Sequence, residues 1–342
     1  MDPPATTGAA HELEVARVLD ETADARSFVL AVPPSLREIF HYQAGQFLTF
    51  ELAIDGRTLR RCYSMSSAPE VDAEIKFTVK RVAEGPASNW FNEQVRAGTH
   101  LRVLAPAGRF VLNNSAAPIL FFAGGSGITP IISLIKSSFA RTDRRMTLLY
   151  ANRNRGSVIF YDELEELARS HPGRFTVGHH FDGVAGVLGP QPISALANST
   201  AQADVYICGP GPFMALVEST LTEAGYDRAR IFVERFVSPS LEVDTAGDTT
   251  SGVACAMTVR FGGVLHQLEA RPDETILQAA RRVGIEAPSA CEQGICGTCL
   301  AKLVSGKAVM RSNELLTESE VSKGLILTCQ AVASSARLEV EY

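Results

Sequence analysis

The sequence predicts a multidomain chain of β and α/β parts: an antiparallel β-barrel, a doubly wound parallel α/β domain and a small C-terminal β-grasp domain. Three observations carry this. Up to about residue 112, short runs of alternating apolar residues are separated by turn residues. From there to residue 236, strand-length apolar runs alternate with helix-period segments, and two glycine-rich turns follow strands. Near the end, Cys291, Cys296 and Cys299 form a C-x4-C-x2-C pattern, answered far downstream by Cys329. With 342 residues and 46% hydrophobic content, the chain can build two or three domains, each with its own core. A net charge of -6 argues mildly against a nucleic-acid partner. The longest apolar runs, such as 118–123, fall far short of the roughly 20 residues a bilayer requires and read as buried strands.

Residues 1–10 are small and polar and read as a mobile tail. Strand-like runs follow at 13–18, 27–32, 47–52, 60–66, 75–82 and 100–104, so a small antiparallel barrel is expected over 11–112. Within it, Arg61-Cys62-Tyr63-Ser64-Met65-Ser66 places Arg61, Tyr63 and Met65 on one face of a strand and Cys62, Ser64 and Ser66 on the other. A guanidinium suits phosphate, a ring suits stacking and a hydroxyl suits a polar ring atom. Taken alone, the same residues describe a solvated arginine and a core ring. In Gly85-Pro86-Ala87-Ser88, Ser88 is expected to cap a short helix whose free N–H groups can face a pyrophosphate; a plain cap is the simpler reading.

The middle segment, 113–236, offers strands at 119–123, 146–151, 175–177, 204–208 and 231–235, with helices at 130–139, 161–170 and 213–224. That alternation predicts a parallel sheet, whose ligands sit beyond the carboxyl ends of its strands. Two turns lie there: Gly124-Gly125-Ser126-Gly127-Ile128-Thr129-Pro130 and Cys208-Gly209-Pro210-Gly211. Neither is a G-x-G-x-x-G fingerprint, but bare backbone at a helix start can approach a pyrophosphate. Glycine also serves tight turns that bind nothing. No acid follows the second strand to claim a ribose hydroxyl, and Arg153 and Arg155 suit a 2′-phosphate, though surface arginines are commonly just solvated. Cys208 reads either as a small buried hydrophobe or as an orienting group, and Phe236 as a core ring or a stacking one.

Residues 237–254 are rich in Ser, Thr, Gly and Asp and read as a flexible tether to a third domain, 255–342. A hairpin turns at Gly262-Gly263, a helix runs over 275–283, and the cysteine loop follows, then an acidic stretch with Glu314, Glu318 and Glu320, and Cys329 before a final strand. Cys291, Cys296, Cys299 and Cys329 have the spacing that wraps a plant-type [2Fe-2S] cluster. A structural zinc site more usually shows two short C-x2-C pairs, and this chain has one. The cysteines cluster as ligands and no secretory signal precedes them, which disfavours disulfides and points to a reducing cytoplasm. The acidic stretch can meet a basic docking face, although a solvated helix surface is the simpler and preferred reading.

Tyr42-x-x-Gly45-Gln46-Phe47, Arg61-x-Tyr63-Ser64 and Gly85-x-x-Ser88, in that order, resemble the FAD barrel of the ferredoxin-NADP reductase superfamily. The resemblance implies FAD, with Arg61 on the pyrophosphate, Tyr63 and Ser64 at the isoalloxazine, the backbone around Val79, Lys80 and Arg81 along the ribose side, and Pro86, Ala87 and Ser88 at the phosphates. It also implies a pyridine nucleotide on Gly124, Gly125, Ser126, Gly127 and Thr129, with Gly209 and Pro210 placing Cys208 by the nicotinamide and Phe236 near the flavin. The domain order resembles the reductase components of two-component oxygenases, and runs such as 148–153, 208–214 and 324–329 resemble those serving 3-ketosteroid 9α-hydroxylation. This implies NADH as donor, a Rieske-type terminal oxygenase docking near 292–297, and a cytoplasmic monomer. Two rivals remain. One is a phenylacetyl-CoA epoxidase-type reductase with NADPH and a di-iron partner; the other is a ferredoxin-like binding or sensor protein, against which the intact glycine turns speak.

Overall fold

Alternating apolar residues over the first hundred positions form six antiparallel strands: β1 (His11–Thr22), β2 (Ala25–Ala31), β3 (Phe47–Ile54), β4 (Arg57–Ser64), β5 (Ile75–Lys80) and β6 (His100–Val103). The computed structural model describes residues 10–200, 202–236, 252–289, 292, 294, 297–313 and 315–342. The expected tail and most of the tether therefore lie outside the described residues. The strands are ordered β4-β3-β6-β1-β2-β5, and an antiparallel bridge between Met65 and Phe77 joins the two ends into a barrel. Its interior is aromatic. Phe28, Phe50, Phe77 and Phe91 are fully buried, with the Phe50 and Phe77 ring centroids 4.5 Å apart. Each such ring stabilises the barrel by about 1.5–3 kcal/mol. Phe91 comes from helix α1 (Pro86–Gln94), which enters between β5 and β6.

The following residues build β7 (Ile119–Gly124), α2 (Ile128–Arg141), β8 (Met146–Asn152), α3 (Tyr161–Ser170), β9 (Phe175–Phe181), α4 (Asp182–Ala185), α5 (Pro190–Ser199), β10 (Asp204–Cys208), α6 (Gly211–Glu223) and β11 (Ile231–Glu234). The sheet is parallel, in the order β11-β10-β7-β8-β9. After β7 the chain proceeds outward through β8 and β9, then returns to lay β10 on the other side of β7. The switch point thus lies between β7 and β10, the strands that carry the two glycine-rich turns. Helices α4 and α5 were not expected from the sequence.

Barrel and sheet form one compact unit, His11–Phe236. The buried Ser133 of α2 donates to Ser67 O at 2.6 Å and accepts from Gly45 N at 3.3 Å. Lys136, also buried, pairs with Asp72 of the barrel side at 3.0 Å and with Glu163 of α3 at 2.8 Å.

The other unit lies within Val237–Tyr342. It contains β12 (Cys255–Phe261), β13 (Val264–Ala270), α7 (Ile276–Arg282), β14 (Leu300–Ser305), β15 (Ala308–Met310), α8 (Glu318–Ser322), β16 (Leu325–Leu327), β17 (Ala331–Ala333) and β18 (Arg337–Glu341). The mixed sheet runs β13-β12-β18-β14-β16, with β12 and β18 parallel, and a β15–β17 ribbon beside it. Helix α7 starts at a reciprocal Thr275–Gln278 capping box and buries Ile276, Leu277, Ala279 and Ala280 in the domain core, the β-grasp arrangement. The acidic stretch resolves in part: Glu320 closes a second capping box with Thr317 at the start of α8, and Glu314 lies outside the described residues. Gly252 N and Val253 N, which the sequence assigned to the tether, donate to Asp273 Oδ1 and Ala333 O of this domain. Among the described residues, no helix is long and apolar enough to cross a membrane.

Candidate cofactor sites

At the end of β4, the ring of Tyr63 meets Phe91 edge-on at 5.2 Å and tilts toward Phe50 at 5.9 Å, so the barrel core fixes its plane. Burial pushes the Tyr63 hydroxyl pKa up, against the opposing charge of Arg61. Next to it, Ser64 is buried and its Oγ has no hydrogen-bond partner among the described residues. An unpaired buried hydroxyl costs free energy that a polar ligand can recover, so a ring system with edge donors and acceptors fits here. Arg61 donates to the carbonyl of Arg60 at 2.7 Å.

Ser88 is not the helix cap that the sequence suggested. Gly85 occupies that position, with Pro86 in the first turn, and Ser88 lies inside α1. Its hydroxyl accepts from Val82 N at 3.1 Å and donates to Gly85 O at 3.1 Å, which ties the helix start to the end of β5. Ala87 is buried beside it. Along β5, Val79 O accepts from Asn92, and Arg81 N donates to Asp24 O at 2.7 Å.

The two glycine turns interlock. A Cβ placed on Gly127 would lie 2.0 Å from the carbonyl oxygen of Cys208, and one on Gly209 would lie 3.0 Å from Gly124 N. Only bare backbone permits this approach. Pro210, at the start of α6, would lie 2.9 Å from a Cβ on Gly124. The first turn is held from outside by Tyr150, whose hydroxyl donates to Gly125 O at 2.9 Å, and by Thr129, which donates to Ser126 O at 3.0 Å. Helix α2 has Gly127 as its N-cap and no side-chain cap, which suits an anionic group at its start. Cys208 is wholly buried. Burial first, and then Glu234, push its thiol pKa well up, so it stays a neutral group that can orient a ring.

The Lys80 side chain reaches the first glycine turn: its Nζ would lie 3.8 Å from a Cβ on Gly125. It shares Asp24 with Arg153, at 3.9 Å and 2.9 Å respectively. Burial lowers the Lys80 pKa and Asp24 opposes that effect. Of the two arginines expected to greet a 2′-phosphate, Arg153 is thus paired with a barrel carboxylate, and Arg155 lies over the Tyr161 ring at 4.4 Å. Sequence reasoning missed Asp24, since an acid in the turn between β1 and β2 gives no signal of a partner 129 positions away. Phe236 is 39% exposed and ends the described part of its unit.

In the C-terminal domain, Cys299 and Cys329 are both buried, and Thr328 joins their segments by donating twice to Cys299 O, from N at 3.1 Å and from Oγ1 at 2.9 Å. The loop before Cys299 is tied by Gln330, which donates to Glu292 O at 2.8 Å, and by Arg281, which reaches Glu292 Oε1 at 2.7 Å. Gly294, at φ +76°, has no room for a Cβ, which would lie 2.6 Å from Ser312 O. Cys291 and Cys296 lie outside the described residues, as does most of the expected docking loop. Two buried thiols on tethered backbone fit thiolate ligation of iron.

Family models match the chain in three blocks: an oxidoreductase FAD-binding domain over residues 12–112, an oxidoreductase NAD-binding domain over 121–219, and a 2Fe-2S iron-sulfur cluster binding domain over 259–334. The ferredoxin reductase component of a 3-ketosteroid-9-alpha-monooxygenase from Rhodococcus rhodochrous is 38% identical over 337 residues, covering 96% of each chain. A component of the 1,2-phenylacetyl-CoA epoxidase of Escherichia coli K12 is 33% identical over 97% of each chain. Among solved structures, phthalate dioxygenase reductase superposes with a TM-score of 0.62 at 25% identity, covering 97% of this chain and 98% of that one. An intact type IV self-sufficient cytochrome P450 monooxygenase gives a TM-score of 0.73 at 25% identity over 99% of this chain, which spans 43% of that longer protein. The chain is therefore an oxidoreductase with FAD-, NAD- and 2Fe-2S-binding domains, and it belongs to the family of reductase components that serve oxygenase systems.

Proposed function

We propose that this chain is the NADH-dependent reductase of a two-component oxygenase with a Rieske-type terminal partner, working in the cytoplasm as a monomer on the route of steroid ring hydroxylation. The observation that carries the reading is the likeness to the ketosteroid monooxygenase reductase component along 96% of both chains. Bound FAD accepts a hydride and releases electrons singly, and a plant-type cluster carries them one at a time.

The protein's part is positioning. The interlocked glycine turns present α2 to a pyrophosphate, Cys208 orients the nicotinamide as a neutral thiol, and Ser64 offers its hydroxyl to the flavin ring. In this reading Arg61, Pro86, Ala87 and Ser88 serve the FAD phosphates, the backbone of Val79, Lys80 and Arg81 runs along its ribose side, and Phe236 stacks near the flavin. Cys291, Cys296, Cys299 and Cys329 hold the cluster. The Asp24–Arg153 pair supports NADH, because a 2′-phosphate would have to compete with a carboxylate for the arginine.

The test is coupled turnover with NADH and with NADPH, in the presence of a ketosteroid hydroxylase oxygenase or of a di-iron epoxidase oxygenase. Faster turnover with NADH and the first partner is expected. Preference for NADPH and the second would replace the reading with its epoxidase rival. Protein with no flavin band, or one that neither nucleotide bleaches, would remove enzymatic function altogether.

A further inference from the structure

We propose that Tyr342 is a positioning residue for the iron-sulfur centre, acting through Thr328 on Cys299; this rests on the cluster-binding reading of the C-terminal domain. The hydroxyl of Tyr342 lies 2.8 Å from Thr328 Oγ1, and that oxygen lies 2.9 Å from the carbonyl oxygen of Cys299. A carbonyl only accepts, so the single hydroxyl proton of Thr328 goes to Cys299. Tyr342 must then be the donor to Thr328. Two O–H dipoles line up in one direction, each with its positive end toward Cys299.

Both ends of this relay are fixed. Thr328 is fully buried, its N–H also donates to Cys299 O at 3.1 Å, and Cys329 follows it in sequence. Tyr342 N donates to Arg260 O at 3.0 Å, and its ring meets Phe261 edge-on at 6.0 Å.

Aligned hydrogen bonds in a buried setting reinforce one another. A proton donated to the backbone of a ligand residue adds positive charge one step outside the ligands, which favours the more negative, reduced state and so tunes reduction potential. Tyr342 therefore holds the Thr328 rotamer that donates to Cys299 and strengthens that donation. Its loss makes the cluster harder to reduce.

The test uses the full-length holoprotein and reads iron content, the electron paramagnetic resonance spectrum of the reduced cluster, and dye-coupled equilibrium reduction. Tyr342→Phe keeps the ring packing against Phe261. It is expected to retain full iron and flavin while the equilibrium constant for one-electron reduction falls about threefold, roughly 30 mV for a one-electron couple. Thr328→Ser should hold the wild-type value. Thr328→Val should shift in the same direction as Tyr342→Phe, and the double variant should move no further than Thr328→Val. An unchanged potential in Tyr342→Phe, loss of iron from that variant, or additive shifts in the double variant would overturn the proposal. Wild-type protein that binds no iron would instead overturn the cluster reading on which it rests.

Discussion

The barrel core and the C-terminal core are filled by different means. The barrel packs Phe28, Phe50, Phe77 and Phe91 against one another, and Tyr63 leans on three of them. Among its described buried apolar residues, the C-terminal domain has no aromatic ring and is rich in alanine, with Ala270, Ala279, Ala280, Ala287, Ala301, Ala331 and Ala333. Large rings fill a barrel without help, and the flavin site is an addition to a finished core. A small domain built from alanines and cysteines buries less apolar area, so its stability leans on whatever its thiols bind.

The largest expected effect breaks that contrast if it fails. Cys329→Ser, or removal of iron from the wild type, should lower the stability of the C-terminal domain by about 3 kcal/mol, moving its melting temperature by about 15 °C. The transition of the His11–Phe236 unit should stay where it was. Calorimetry resolving two transitions reads this directly, and removal of FAD should move the first unit much less. Equal sensitivity of both units to loss of their cofactors would show that the aromatic core confers no independence.

A smaller effect sharpens the contrast within the first unit. Gly127→Ala must part the two turns, since its new methyl group meets the Cys208 carbonyl at 2.0 Å. Stopped-flow reduction of bound FAD by NADH is expected to slow by about 100-fold, as misplacement of reacting groups by an ångström does. Flavin content and cluster spectrum should be unchanged. Normal reduction would mean that the turns do not set nucleotide geometry.

The smallest effect is a pH dependence. His179 stacks on Tyr161 at 5.0 Å and lies 3.1 Å from Glu165. Burial lowers its pKa from the ordinary 6.5, against the hydrogen bond and charge of Glu165 and with a small push from Arg155. A depressed pKa means that the folded state resists the proton, so this contribution is complete above pH 6.5 and is lost as the pH falls through the folded value. Thermal stability of the first unit should decline from pH 6.5 downward, and His179→Gln should flatten that slope. A slope unchanged by the substitution would place the dependence on other groups.

Much of this organisation is legible in the sequence because backbone chemistry dictates it. The strand at 204–208, the helix at 161–170 and both glycine turns follow from apolar period and from the demand for residues without side chains. Helix α5 escaped because it opens on Gly189-Pro190-Gln191-Pro192, which reads as a turn although proline is well suited to a first helical turn. Ser88 resembled a cap because its residue type suits one, but Gly85 takes that position and the serine hydroxyl bonds across to β5 instead. The pairings of Arg153 with Asp24, and of Lys136 with Asp72, join residues far apart in the chain. Local pattern says nothing about such partners, because tertiary packing alone brings them together.

Closure of the barrel by the Met65–Phe77 bridge has a consequence for solubility. The bridge narrows the open edge of the barrel sheet at the end of β4, which leaves a neighbouring molecule less to extend. The C-terminal sheet ends openly at β13, where Val264 and Leu265 are 55% and 54% exposed. In iron-free protein, that exposed edge is the strand on which chains are expected to pair.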